Sequence, residues 1–105
     1  MVSMQTGMEL TRSLGHTEID AVAYDVFAEA HAKYDPATKT LEVALDSYLV
    51  PDNVSHLEDR VVPGWLPKAQ VDREHVDAEE ASDLAKDVFQ RWCHKVSHAA
   101  PHLRA

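Results

Sequence analysis

Histidine is the residue type with the most chemistry to offer in this chain, which has seven of them. His94, His98 and His102 recur at every fourth position. Two histidines at i and i+4 on a helix project their imidazoles from one face and can chelate one ion. His94 and His98 are therefore the candidate metal ligands, with a third ligand required from another subunit or from the N-terminal region. Pro101 ends a helix before His102 is reached, and Asp87 is two turns away from His94, too far to join the same ion. The competing reading is a solvated helix face with cationic imidazoles near the negative end of the helix dipole.

Other constellations carry less. His16-Thr17-Glu18 and His56-Leu57-Glu58 echo the His-x-Glu of zinc deaminases, but that chemistry also needs a Pro-Cys-x-x-Cys element, and Cys93 is the single cysteine. Serine, histidine and aspartate are all present without a Gly-x-Ser-x-Gly elbow to place a nucleophile. Three glycines, at positions 7, 15 and 64, are too few and too scattered for a phosphate-cradling loop. Trp65, beside Pro63-Gly64, is the candidate interaction anchor; its alternative role is to cover the end of a sheet as a core aromatic. No catalytic residue and no cofactor can be named, so the chain reads away from an enzyme.

The charge balance narrows the partners. Eighteen acidic residues against ten basic ones leave a formal charge of −8. Phosphate-rich partners, whether nucleic acid or anionic membrane, would be repelled. The carboxylates are interrupted by lysines and arginines, which argues against mimicry of DNA. A protein partner or self-association, as in a homodimer, remains the expected class. No apolar run approaches the roughly 20 residues of a membrane span, and the first residues lack the basic start and apolar stretch of a signal peptide. A cytoplasmic location is the expectation. Cys93 falls on an apolar helix arc and reads as a small buried hydrophobe.

The elements that must position these groups are legible in places. The length, 105 residues, fits a single domain spanning 1–105. The spacing of Ala81, Leu84, Ala85, Val88, Phe89, Trp92, Cys93 and Val96 predicts a helix over 78–98. Asp77 is placed to cap it, with Glu80 three residues on. Residues 17–34 fork. As a helix, Thr17 is the cap and Ile19, Val22, Ala23, Val26, Phe27 and Ala30 form a stripe. As a strand, Val22 to Tyr34 alternate, and Asp35-Pro36 turns the chain into Leu41, Val43 and Leu45. That hairpin sets Tyr34 opposite Leu41, Lys33 opposite Glu42 and Ala32 opposite Val43. It is the preferred reading because two segments and a turn agree on one register. Residues 40–50 are a strand either way. Within Val54–Val62, Ser55 with Glu58 fits the cap of a short helix, or Leu57–Val62 fits a strand. Val62-Pro63-Gly64-Trp65 suits a type II turn, and Ala69–Glu74 reads as an edge strand. Residues 1–16 are weakly patterned: Met8, Leu10 and Leu14 fit one helical turn or a loose edge, and the stretch otherwise reads as a loose N-terminal tail.

The expected fold is α+β: a mostly antiparallel sheet from about residue 20 to 75 with a long C-terminal helix packed on one face. The expected function is a non-catalytic protein-interaction or regulatory domain. The alternative is a small-ligand or metal-binding protein that uses the helix histidines His94 and His98.

Overall fold

The structure is a computed structural model that describes residues 7–52 and 60–104. The elements follow in the order β1 (Met8–Ile19), β2 (Val22–Asp35), β3 (Thr40–Pro51), β4 (Gln70–His75) and α1 (Ala78–Ala99). The strands form one antiparallel sheet in the order β1-β2-β3-β4. Helix α1 packs across one face, against β1, β2 and β3. This is the α+β layout that the sequence predicts.

The β2–β3 hairpin has the predicted register: Tyr34 faces Leu41, Lys33 faces Glu42 and Ala32 faces Val43. Its helix-facing side is the alternating series Val26, Ala28, Ala30, Ala32 and Tyr34 against Leu41, Val43, Leu45 and Leu49, all buried. At the turn the Asp35 carboxylate accepts a bond from Ala37 N at 3.0 Å, an Asx turn that needs no other partner. Thr17–Tyr34 is thus not a helix, and Thr17 caps nothing. Its hydroxyl instead donates to the Pro101 carbonyl at 2.6 Å, tying the chain beyond α1 to the sheet.

Residues 8–16 are not a loose tail; they make up most of β1, and the sheet starts about a dozen residues earlier than expected. Strand β1 meets β2 through the two-residue turn Asp20-Ala21, with φ of 52° and 66°. Positive φ at both positions gives the mirror-type turn whose twist suits two adjoining strands. A bulge between Ser13 and Gly15 then shifts the register. Gly15 has φ 131°, a conformation that L side chains rarely adopt. Before the bulge Met8, Leu10 and Arg12 lie opposite the core residues Ala32, Ala30 and Ala28 of β2; after it Gly15 lies opposite Val26, and Thr17 and Ile19 pair with Tyr24 and Val22.

Helix α1 runs one residue past its expected end. It buries Ala81, Ala85, Val88, Phe89, Trp92, Cys93 and Val96, while Leu84 packs at the margin. Trp92 Nε1 donates to the Asp46 carbonyl at 2.8 Å, which joins the helix to β3. Asp77 does occupy the N-cap position, but its side chain makes no capping bond. Its carboxylate is drawn instead to Lys39 Nζ at 3.2 Å. The turn before β4 also differs from expectation. Leu66 N bonds to Pro63 O at 3.1 Å, so the turn is Pro63–Leu66, and Gly64 is not among the residues with positive φ. Val61 pairs with Leu49 as an isolated bridge. The expected Ser55–Glu58 cap and the His56-Leu57-Glu58 echo lie outside the described residues.

Candidate functional site

The sheet face turned away from α1 gathers ionisable side chains into three clusters. At one end is His16 on β1, which sits directly opposite Asp25 on β2. Asp25 in turn faces Val50, and Asp52 follows two residues on, just past the end of β3. His16 Nδ1 lies 2.8 Å from Asp25 Oδ1 and 3.2 Å from Asp52 Oδ2. The backbone holds this arrangement from several sides. His16 exchanges two bonds with Arg104, of 2.6 and 2.8 Å, and Asp52 N bonds to Ala23 O at 3.0 Å. Asp25 Oδ1 is shut off from solvent and has no hydrogen bond. A hollow of about 290 Å³ adjoins His16, lined also by Glu18, His102 and Arg104.

In the middle of the face Glu29 is the hub. His31 Nε2 lies 3.3 Å from it and Arg60 4.0 Å. The Arg60 guanidinium sits 4.0 Å over the Tyr48 ring, and that ring stacks on Phe27 with centroids 5.5 Å apart. Burial pushes the Tyr48 phenol above its ordinary value, and the negative charge of Glu29 pushes it the same way. At the far end Glu42 is flanked by Lys33 at 3.5 Å and Arg73 at 3.1 Å. This last group is an exposed ion-pair network that ties β2, β3 and β4 together and contributes little individually.

The other side of the molecule carries a groove of about 630 Å³ between the outer edge of β1 and α1. Leu14 and Cys93 are among its apolar lining residues; Arg12, Arg91, His94 and Lys95 are among its basic ones, and no carboxylate lines it. Burial raises the Cys93 thiol above its ordinary value, the opposite of what an activated nucleophile requires. The Arg12 guanidinium rests 5.4 Å over Phe89 and the Lys95 ammonium 5.6 Å from the Trp92 ring.

The predicted ligands His94 and His98 do come together on α1. Their Nε2 atoms are 2.9 Å apart and their rings meet edge-on at 4.4 Å. Among the described residues no third His, Cys, Asp or Glu atom converges on them. His102 lies past the helix end with φ 50° and lines the hollow beside His16 instead. Trp65 is half-buried and packs against the core. The His16–Asp25–Asp52 group escapes sequence reasoning because its members are 9 and 27 residues apart along the chain and meet only through strand register. The usable signal was the alternation of β2, which puts Asp25 on the side away from Val26 and Ala28.

No known protein family, characterised protein or solved structure matches this chain. Among the described residues no helix is long and apolar enough to cross a membrane.

Proposed function

We propose that this chain is a non-catalytic protein-interaction domain that receives an extended acidic peptide along the outer edge of β1. The observation that carries the reading is the groove between β1 and α1: in a chain of formal charge −8 its walls hold Arg12, Arg91, His94 and Lys95 and no carboxylate. Beside it runs a strand edge. Strand β1 is the outermost strand, and among the described residues its outer side is bridged only at His16, by Arg104. An added strand would gain main-chain hydrogen bonds from that edge and would set alternate side chains into the groove. Acidic side chains would meet Arg12 and Lys95, whereas Arg91 already has Asp87 at 3.1 Å. Charge complementarity of this kind governs approach and selectivity more than raw affinity. Fluorescence anisotropy with a labelled peptide of alternating glutamate and valine tests it. Saturable, salt-sensitive binding that is lost in Arg12→Glu and Lys95→Glu supports the reading. No binding at low salt, or equal binding by the matching lysine–valine peptide, overturns it.

A second reading, metal or small-ligand binding by His94 and His98, is supported by the 2.9 Å approach of their Nε2 atoms. It requires a third ligand from a second copy. Metal analysis of untagged protein, with His94→Ala and His98→Ala as controls, tests it.

A further inference from the structure

We infer that His16, Asp25 and Asp52 form a binding site for one divalent first-row transition-metal ion. The ligand atoms of the three lie within 4.8 Å of one another. Two of the edges are 2.8 Å and 3.2 Å, both from His16 Nδ1. Ligands about 2.1 Å from an octahedral ion stand about 3.0 Å apart along a cis edge, and ligands at similar distances in a tetrahedral site stand about 3.4 Å apart. The spacing suits an ion seated between the imidazole and both carboxylates.

The hydrogen-bond pattern supports the same conclusion. A proton on Nδ1 is aimed at Asp52, whose carboxylate makes a hydrogen bond with it. Asp25 Oδ1 is the nearer oxygen, yet it makes no hydrogen bond, and this atom is shut off from solvent although 31% of the side chain is exposed. A buried carboxylate oxygen without a donor is costly. One cation between the three groups would satisfy all of them, and it would relieve the repulsion between two carboxylates in an acidic chain. The scaffold is also stiff where a metal site needs stiffness. Each ligand comes from a different part of the sheet, His16 is held between the Gly15 bulge and the Arg104 bridge, and Asp52 is anchored to Ala23.

The donor set selects the class of ion. One imidazole nitrogen and two carboxylate oxygens are harder than a thiolate site and softer than an all-oxygen cage. Manganese(II), iron(II), cobalt(II) and zinc(II) fit this set better than copper(I) or calcium. Three protein ligands leave coordination positions for water.

Calorimetric titration of the untagged full chain with manganese(II) and zinc(II) chlorides near neutral pH tests the inference. One ion per chain should bind saturably below about 1 mM. Affinity should fall at least about tenfold in His16→Ala, Asp25→Asn and Asp52→Asn. It should be unchanged in His75→Ala, which removes an exposed histidine on β4 away from the site. Substoichiometric manganese(II) provides a measurement that needs no variant, because paramagnetic broadening of the wild-type amide spectrum should centre on His16, Asp25 and Asp52. Absence of saturable binding by either ion, broadening centred on α1, or unchanged affinity in all three ligand variants would overturn the inference.

Discussion

Replacing Trp92 by alanine removes the ring that seats α1 on the sheet. The side chain is 2% exposed, so its burial is nearly complete. An aromatic of this size buries roughly 150–250 Å², which at about 25 cal/mol per Å² amounts to roughly 4–6 kcal/mol as an upper bound. Residual burial in the unfolded chain reduces that by roughly 10–40%. The lost hydrogen bond from Nε1 to the Asp46 carbonyl adds about 0.5–1.5 kcal/mol. A loss of about 3–5 kcal/mol is therefore expected, in the range measured for deleting large buried aromatics. For a domain of this size about 4–8 °C of Tm corresponds to each kcal/mol, so Tm should fall by at least about 12 °C. Trp92→Phe keeps most of the apolar ring and loses the bond, so it should lie between wild type and the alanine variant. Urea denaturation followed by circular dichroism measures both. A loss below about 1 kcal/mol in Trp92→Ala would show that the stripe does not rest on the sheet, and a wild-type midpoint in Trp92→Phe would remove the bond from the account.

The turn at Asp20-Ala21 offers a gain: Ala21 sits at φ 66°, so Ala21→Gly should stabilise by about 0.5–1 kcal/mol, and a lower denaturation midpoint would refute the turn geometry. Because Asp77 makes no capping bond and pairs with exposed Lys39, Asp77→Ala should cost less than about 1 kcal/mol in the same assay. The raised Tyr48 phenol contributes stability that is fully present below about pH 10, the ordinary value, and is lost as pH rises through the higher folded value. Absorbance titration should show a phenol ionising above pH 10, and Tyr48→Phe should remove it. Protonating all seven histidines takes the formal charge from −8 to −8 + 7 = −1. Light scattering should therefore show self-association rising towards a solubility minimum near about pH 5–5.5, and monodisperse monomer from pH 8 to 5 would refute this.

Local pattern was enough for α1, and it favoured the β2–β3 hairpin over the helical alternative for residues 17–34. In the hairpin, alternation along Val26–Tyr34 and Leu41–Leu45 and the turn at Asp35-Pro36 agreed on one register, the one observed, while an alanine-rich stripe from Ile19 to Ala30 offered a helix instead. In α1, steps of three and four collected one apolar stripe wide enough to need a sheet beneath it. Strand β1 was hidden for identifiable reasons. Its helix-facing positions include Arg12 and Thr17, whose polarity masks the period of two. The bulge at Ser13–Gly15 then reverses which residues face the core, so no single alternation runs through the strand. Asp77 illustrates a smaller limit: its type and position announced a cap, but Lys39, 38 residues away, competes for the carboxylate. The His16–Asp25–Asp52 group depends on tertiary structure altogether. Its three side chains share a face only because the Asp20-Ala21 turn and the bulge set one register, the hairpin sets another, and the chain after α1 returns to clamp His16. Residue types decide what such groups can bind; which of them meet is decided by strand pairing, and pairing is a property of the whole sheet.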